Sequence, residues 1–262
     1  MPFTDLIDKV LSASCAVQIT KEWSQGRAGY GGLIAALVYQ AMEKRILDGR
    51  PVRNLQISFI GPVSFEEPLE IETDILREGK SVSQIFGRGV QNGQTQITIV
   101  GSFGHSRDSQ LLIEHDKKIF PENPEELLVM PYVEGKFPAF TKFFDLRYVT
   151  AFPFAGSSDT SLRGFVKFKS PQDKMGIAQL IGLVDAWPPT PLPMLDKPAP
   201  ASSLSWTIEF MQPQPALGVD DYCQYESETT HASNGYGNTR AMIRNMNGEL
   251  LAISSQTVTI FA

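Results

Sequence analysis

The sequence is poor in cysteine and histidine. Its 262 residues include two cysteines, Cys15 and Cys223, and three histidines. These are too few for a disulfide framework, and none of them has the spacing of metal ligands. We therefore expect a reducing, cytoplasmic setting and neither a cofactor nor a metal ion.

Long apolar runs are also absent from the sequence. No stretch approaches the roughly 20 residues that a membrane-spanning helix needs, and Asp5 and Asp8 lie where a signal peptide would carry positive charge. The net charge of −6 argues against nucleic acid as a partner. Hydrophobic residues make up 42% and charged residues 20% of the chain, which is typical of a soluble globular protein.

The elements that are present occur twice in the same order. After a helix predicted over 3–11 and a strand over 17–23, a glycine-rich turn leads into a buried helix predicted over 33–45. Four strands follow, and then a polar, proline-punctuated stretch to about residue 138. Strands predicted over 143–152 and 162–169 precede a second buried helix, which ends at Asp185 and is again followed by four strands. The last two strands of each copy are joined by Asn-Gly, at Asn92-Gly93 and at Asn247-Gly248.

This duplicated order predicts the architecture. One helix followed by antiparallel strands does not suit a doubly wound sheet, but it suits a helix wrapped by a curved sheet. Pairing of the two copies would cover exposed sheet edges. We predict an α+β protein of two tandem hot-dog domains that form a pseudo-dimer, with an N-terminal domain over 1–108, a linker over 109–140 and a C-terminal domain over 141–262.

Asp185 is the unusual residue of the second helix. It continues the apolar stripe formed by Ile177, Ile181 and Val184, where a carboxylate is costly unless another group pairs with it or uses it. It also lies at the helix end where the dipole disfavours an anion. Both effects would raise its pKa, which suits a general base near neutral pH. The alternative is an aspartate in the last turn that simply points to solvent.

Three segments carry a family resemblance: Gly29-Tyr30-Gly31-Gly32-Leu33-Ile34-Ala35-Ala36, Ile57-Ser58-Phe59-Ile60-Gly61-Pro62-Val63 and Leu76-Arg77-Glu78-Gly79-Lys80-Ser81. In these segments the chain resembles the acyl-CoA thioesterase II type, a double hot-dog family, from Gly29 to the C-terminus. The resemblance implies hydrolysis of an acyl-CoA to a free acid and coenzyme A, with the acyl-CoA as the small-molecule partner.

The resemblance also implies three catalytic residues. Members of the family carry an Asp late in the second helix, a Thr or Ser at the start of the next strand and a Gln in the final strand. Asp185 and Gln256 match the first and the third, and Ser203 matches the hydroxyl position. The family often has Asp where Ser205 stands, and a slip of one residue would make Ser202 the partner. On strict alternation Ser203 points away from the apolar strand face, so only a strand start or a bulge would turn it toward the site.

These residues can be given roles in one mechanism. Ser203 and Gln256 can orient a water molecule beside Asp185, which takes its proton. The developing oxyanion needs amide donors at a helix start, and Gly31 and Gly32 are the candidates from the first copy, as Gly176 is from the second.

The first copy is predicted to be catalytically degenerate. There, Asn54 and Gly101 occupy the places of Ser203 and Gln256.

Other functions stay open. The altered region at Ser203 and Ser205 also suits a non-hydrolytic acyl-CoA or acyl-lipid binding protein on the same fold, and a different hot-dog reaction on a specialised metabolite is a third alternative. The sequence lacks the Gly-x-Ser-x-Gly elbow of serine hydrolases, and neither predicted buried helix contains the histidine that hot-dog dehydratases use. Exposed sheet edges lead us to expect a homo-oligomer.

Overall fold

The first half of the chain has the predicted order of elements. A computed structural model describes residues 1–10 and 15–262. Its helices and strands up to residue 104 are α1 Phe3–Asp8, β1 Cys15–Val17, β2 Ser24–Gln25, β3 Ala28–Gly29, α2 Gly31–Glu43, β4 Val52–Phe59, β5 Leu69–Glu78, β6 Val82–Gln91 and β7 Gln94–Gly104. The predicted helix over 3–11 is confirmed as α1, although its last predicted residue, Leu11, lies outside the described residues.

The second half repeats this order with a shorter helix. Its elements are β8 Phe144–Tyr148, β9 Ser161–Phe168, α3 Ile177–Val184, β10 Ala201–Phe210, β11 Cys223–Ser233, β12 Tyr236–Arg244 and β13 Leu250–Ile260. The connection between the halves contains a short 3-10 helix, Pro124–Glu126. Phe120 of this connection packs edge-on against Phe165, with ring centroids 5.5 Å apart.

Both halves contribute to one continuous antiparallel sheet. Eleven of the described strands follow the order β1-β5-β6-β7-β4-β10-β13-β12-β11-β9-β8. The halves join at β4 and β10, where Ser58 faces Ser205 and Asn54 faces Glu209. Each half thus covers the edge that the other would leave open, and the predicted pseudo-dimer is confirmed.

The two long helices lie against each other on one face of this sheet. α2 is apolar at most positions and buried along nearly its whole length, as expected for a helix enclosed on all sides. α3 buries Leu180, Ile181 and Val184 of the predicted stripe. The Tyr30 hydroxyl, at the start of α2, donates to the Gly182 carbonyl of α3 at 2.5 Å. The helices are therefore antiparallel, and the start of each lies beside the end of the other.

One local prediction was wrong, and another was too long. Of the strand predicted over 17–23, only Val17 lies in β1, and Lys21–Trp23 is a 3-10 helix. Here tertiary packing outweighs strand propensity, because the buried Trp23 ring stacks on Phe143 at 4.1 Å. The strand predicted over 143–152 covers only Phe144–Tyr148.

The two Asn-Gly turns differ from each other. Asn92 and Gly93 have φ of 51° and 71° and directly join β6 to β7, so this two-residue hairpin is confirmed. Asn247-Gly248 also connects the last two strands, but within a longer loop. The Asn245 side chain organises that loop by accepting from the amides of Asn247 and Glu249, both at 3.0 Å.

Gly93→Ala should lower the free energy of unfolding by about 1 to 2 kcal/mol, because an L side chain is strained at this positive φ. Nothing lies within 4 Å of the added methyl group, so steric contact makes no contribution. Gly104→Ala is the matched control, since its methyl group would meet the Ser81 carbonyl oxygen at an ordinary 3.5 Å. Urea unfolding measures both variants, and equal losses would contradict the turn assignment.

Candidate active site

Asp185 directly follows α3 and faces the start of α2. It caps the helix rather than lying in its last turn, and its amide donates to the Ile181 carbonyl at 3.3 Å. A Cβ built on Gly31 would lie 3.0 Å from the Asp185 Oδ2, and one built on Gly32 would lie 2.9 Å from the Asp185 Cβ. Residue 185 is half-buried. The carboxylate therefore points between the helices and not freely into solvent.

The three residues predicted to be catalytic meet at this point. The Ser203 hydroxyl donates to the Gln256 Oε1 at 2.9 Å. The Gln256 Nε2 in turn donates to the Asp185 Oδ1 at 3.4 Å. One hydrogen-bonded chain thus joins the start of β10, the last strand β13 and the end of α3.

A β-bulge explains the orientation of Ser203. Between β10 and β13, Ser205 pairs with Thr257 while Ser203 pairs with Val258, so one residue of β10 is extra. The bulge reverses the alternation and turns Ser203 toward Gln256. Leu204, expected on the apolar face, is instead 42% exposed.

The same register decides between the two candidate serines. Ser202 is exposed, and its carbonyl accepts from the Thr259 hydroxyl at 3.0 Å. Ser203, and not Ser202, therefore contacts the glutamine.

The glycines at the start of α2 are required by close contacts. A Cβ on Gly32 would lie 2.6 Å from the Tyr30 Oη, and one on Gly31 would lie 3.2 Å from the Phe59 ring. As the first residue of the helix, Gly31 has no carbonyl partner within the helix for its amide, so this amide is a candidate donor. We did not predict that the Phe59 ring forms one wall of the site. Ile57 and Phe59 lie two positions apart along β4 and so share one strand face, which was a usable signal.

Gly176, the other candidate donor, lies elsewhere. Its amide donates to the Gln179 Oε1 at 3.1 Å, which caps α3. It lies at the opposite end of α3 from Asp185, so the structure does not bring it to Ser203 and Gln256.

Burial sets the electrostatics of the site. Burial raises the pKa of Asp185 from 3.8 to about 7, although the Gly32 amide and the Gln256 side chain favour the charged form. The charge of this carboxylate also acts on the buried Tyr225 of β11, and burial raises the pKa of this tyrosine to about 12. The sequence did not single out Tyr225, but Cys223, Tyr225 and Ser227 alternate as buried positions of one strand face.

The equivalent position in the first half lacks these groups. β4 and β7 have their own bulge between Val52 and Asn54, which matches the bulge beside Ser203. Val52, rather than the predicted Asn54, therefore occupies the place of Ser203. Leu55 pairs with Gly101 as Trp206 pairs with Gln256, so Gly101 matches the glutamine. Counted from the helix starts at Tyr30 and Gly176, Tyr39 takes the place of Asp185.

The described residues contain neither a metal-ligand cluster nor a membrane-spanning helix. Across 1–10 and 15–262, the structure has no group of three or more His, Cys, Asp or Glu side chains placed to hold a metal ion. No helix in these two ranges is long and apolar enough to cross a membrane.

The fold and site define a double hot-dog protein with a half-buried carboxylate where its two halves meet. Models of the N-terminal and the C-terminal domain of acyl-CoA thioesterases match residues 19–104 and 124–260, and the second match alone covers more than half of the chain. The chain belongs to the acyl-CoA thioesterase family, which confirms the resemblance seen in the sequence. Membership of this family supports thioesterase chemistry in general.

Solved structures of the same fold come from several bacteria. A putative thioesterase II from Thermobifida fusca YX is 19% identical, covers 99% of this chain and 97% of its own, and has a TM-score of 0.83. The acyl-CoA thioesterase II TesB2 from Mycobacterium marinum is 15% identical, with 98% of both chains covered and a TM-score of 0.77. A hot-dog protein of unknown function from Alicyclobacillus acidocaldarius is 21% identical, covers 95% of this chain and 93% of its own, and has a TM-score of 0.83.

These likenesses confirm the predicted α+β double hot-dog fold, and at such identities they show the fold alone. A search among curated proteins found no match.

The raised pKa of Asp185 predicts a pH-dependent stability. The folded carboxyl group keeps its proton up to a pH of about 7, whereas an ordinary one loses it near 3.8. The folded state therefore binds more protons in this window, and the contribution to stability is lost as pH rises through it. Asp185→Asn has no such titration. Its free energy of unfolding, relative to wild type, should rise by about 2 to 3 kcal/mol between about pH 5 and pH 8.

Urea unfolding at four pH values in this range measures the difference. The exposed Asp108 supplies the control, since Asp108→Asn also removes one carboxylate. If the curves of wild type and Asp185→Asn stay parallel, the carboxylate is not desolvated in the folded protein.

Proposed function

We propose that the protein hydrolyses an acyl-CoA thioester to a free acid and coenzyme A by means of a water molecule that Asp185 activates. The observation that carries this proposal is the hydrogen-bonded chain from Ser203 through Gln256 to the half-buried Asp185. A water molecule beside this chain would meet a base, a hydroxyl group and an amide at once. The family match supports the acyl-CoA as the substrate class.

The chain of hydrogen bonds gives each group a role. Because the Ser203 hydroxyl donates to Gln256, its lone pairs are left to accept a hydrogen bond from the water. The Gln256 side chain and the Gly32 amide both donate to the Asp185 carboxylate and hold it in place, and this carboxylate accepts the proton of the same water. Such fixed positions replace the random approach of reactants in solution.

The reaction balances without a covalent enzyme intermediate. Asp185 takes a proton as the water oxygen bonds to the thioester carbonyl carbon, and the carbonyl oxygen becomes an oxyanion beside the Gly31 amide, while the Gly32 amide stays on Asp185. The carbon–sulfur bond then breaks. The proton passes from Asp185 to the departing sulfur, so the products are the free acid and the coenzyme A thiol.

We assign this chemistry to the C-terminal domain, 141–262, with Gly31 and Gly32 supplied by the N-terminal domain, 1–108, across the 109–140 linker. Val52 and Gly101 cannot replace a serine and a glutamine, which supports a catalytically degenerate first half.

Asp185→Asn should lower kcat for hydrolysis by about 100- to 10,000-fold, because the amide cannot accept the water proton. Release of thiol from acyl-CoAs of several chain lengths measures this loss. Wild-type kcat/KM should fall as the pH drops below about 7, where Asp185 becomes protonated. Equal turnover by wild type and Asp185→Asn would contradict the role of Asp185 as the base. If wild type binds acyl-CoAs of every chain length without turnover, the result favours the non-hydrolytic alternative.

Ser203→Ala should lower kcat roughly tenfold, the value of one hydrogen bond to the attacking water. Ser202→Ala is the matched control, since this neighbouring hydroxyl is exposed, and its turnover should stay within about twofold of wild type. The two variants are compared in the same thiol-release assay. A larger loss for Ser202→Ala than for Ser203→Ala would contradict the bulged register.

A further inference from the structure

A cavity lies where the pseudo-symmetry of the chain places the counterpart of the Asp185 site. It has a volume of about 550 Å³ and lies between the end of α2 and the start of α3. Tyr39, Ile177 and Val52 are among its lining residues. In the symmetry of the two halves these correspond to Asp185, Gly31 and Ser203. The fold therefore builds the same inter-helix space twice.

This second space is large enough for a ligand, but it lacks counterparts of the hydrolytic groups of Asp185 and Ser203. Its volume lies within the range of ~300 to 1,000 Å³ that is usual for small-molecule sites. Its apolar wall consists of Ile46, Met175, Leu180, Leu217 and Leu251. The Tyr39 hydroxyl, at the place of the catalytic carboxylate, donates to Glu43 at 2.7 Å. The counterpart of Asp185 is thus a phenol, and the lining carboxylate Glu43 already accepts its hydrogen bond.

A polar atom on the wall lacks a partner. The Oε1 of Gln214 is buried and accepts no hydrogen bond from the described residues, while its Nε2 donates to the Leu251 carbonyl at 3.3 Å. A buried carbonyl oxygen without a donor is costly. A ligand with an N–H group next to an apolar chain would satisfy it once the Gln214 side chain turns toward the cavity.

We propose that this cavity is a second, non-hydrolysing site, which binds the acyl-pantetheine part of another acyl-CoA molecule. The acyl chain would contact the apolar wall, and an amide N–H of the pantetheine arm would donate to Gln214. This inference rests on the proposed function for its ligand class, but the site itself is separate from Asp185. A free fatty acid offers the same chain without the amide, and it is the competing ligand in the test.

The test uses S-dodecyl-coenzyme A, a thioether without the carbonyl group that hydrolysis needs, in calorimetric titration of the full chain. Wild type should bind two equivalents per chain. Leu217→Trp fills the cavity and should bind one, whereas the conservative Leu217→Met should bind two. Both variants should hydrolyse an acetyl-CoA substrate within about twofold of wild type, because Leu217 is remote from the hydrolytic groups.

Gln214 has a separate test. Gln214→Leu should raise the Kd of the second equivalent about tenfold, as expected for the loss of one hydrogen bond. The Kd of the first equivalent should stay unchanged. Laurate added alone should leave the second site empty at the concentration at which S-dodecyl-coenzyme A saturates that site. Occupation of that site by laurate and not by the thioether would overturn the proposal.

The outcomes separate the second site from the proposed function. If wild type binds one equivalent and hydrolyses acyl-CoA normally, only the second site is overturned. If wild type shows no binding and no hydrolysis, both proposals are overturned. If Leu217→Trp fails to fold, photocrosslinking of wild type with a diazirine-bearing acyl-CoA decides. Label on peptides containing Met175 or Leu217, besides label near Asp185, supports the second site, and label confined to Asp185 contradicts it.

Discussion

The contact between the start of α2 and the end of α3 is the constraint on which the candidate site depends. Gly31 and Gly32 bring the backbone of one half against the carboxylate of the other, because a Cβ at either position would lie within about 3 Å of Asp185 atoms. Any larger residue would push the helices apart. The same approach removes water from Asp185 and brings helix-start amides beside it, so the burial and the raised pKa of Asp185 have one physical origin.

Duplication explains why one chain can carry this arrangement. The two halves pair through β4 and β10 into one sheet, and their antiparallel helices produce two inter-helix spaces. One space combines Asp185, Gln256 and Ser203, while the other has Tyr39, Gly101 and Val52 at the corresponding places. Packing of the halves preserves both spaces, since each lies between the same two helices. The chemistry of one space can therefore change without loss of the fold.

Much of this architecture could be predicted, and the failures have local causes. The helix of 31–43, the Asn92-Gly93 hairpin and the repeat follow from periodicity and turn chemistry, which act between near neighbours. The strand predicted over 17–23 failed because Trp23 stacks on Phe143, a residue 120 positions away in the sequence. A periodic pattern among neighbouring residues carries no information about a contact between residues so far apart in the sequence. The electrostatic effect of Asp185 on Tyr225 was missed for the same reason.

The sequence by itself determined the fold class, the duplication and the identity of the candidate residues Asp185 and Gln256, because hydrophobic period and family motifs are written along the chain. Only the tertiary structure decided which serine joins them. The bulge beside Ser203 depends on how β10 pairs with β13, and strand register is a property of two strands, not of one. The raised pKa of Asp185 is likewise decided by the packing of α2 against α3, since desolvation depends on what surrounds a carboxylate in space.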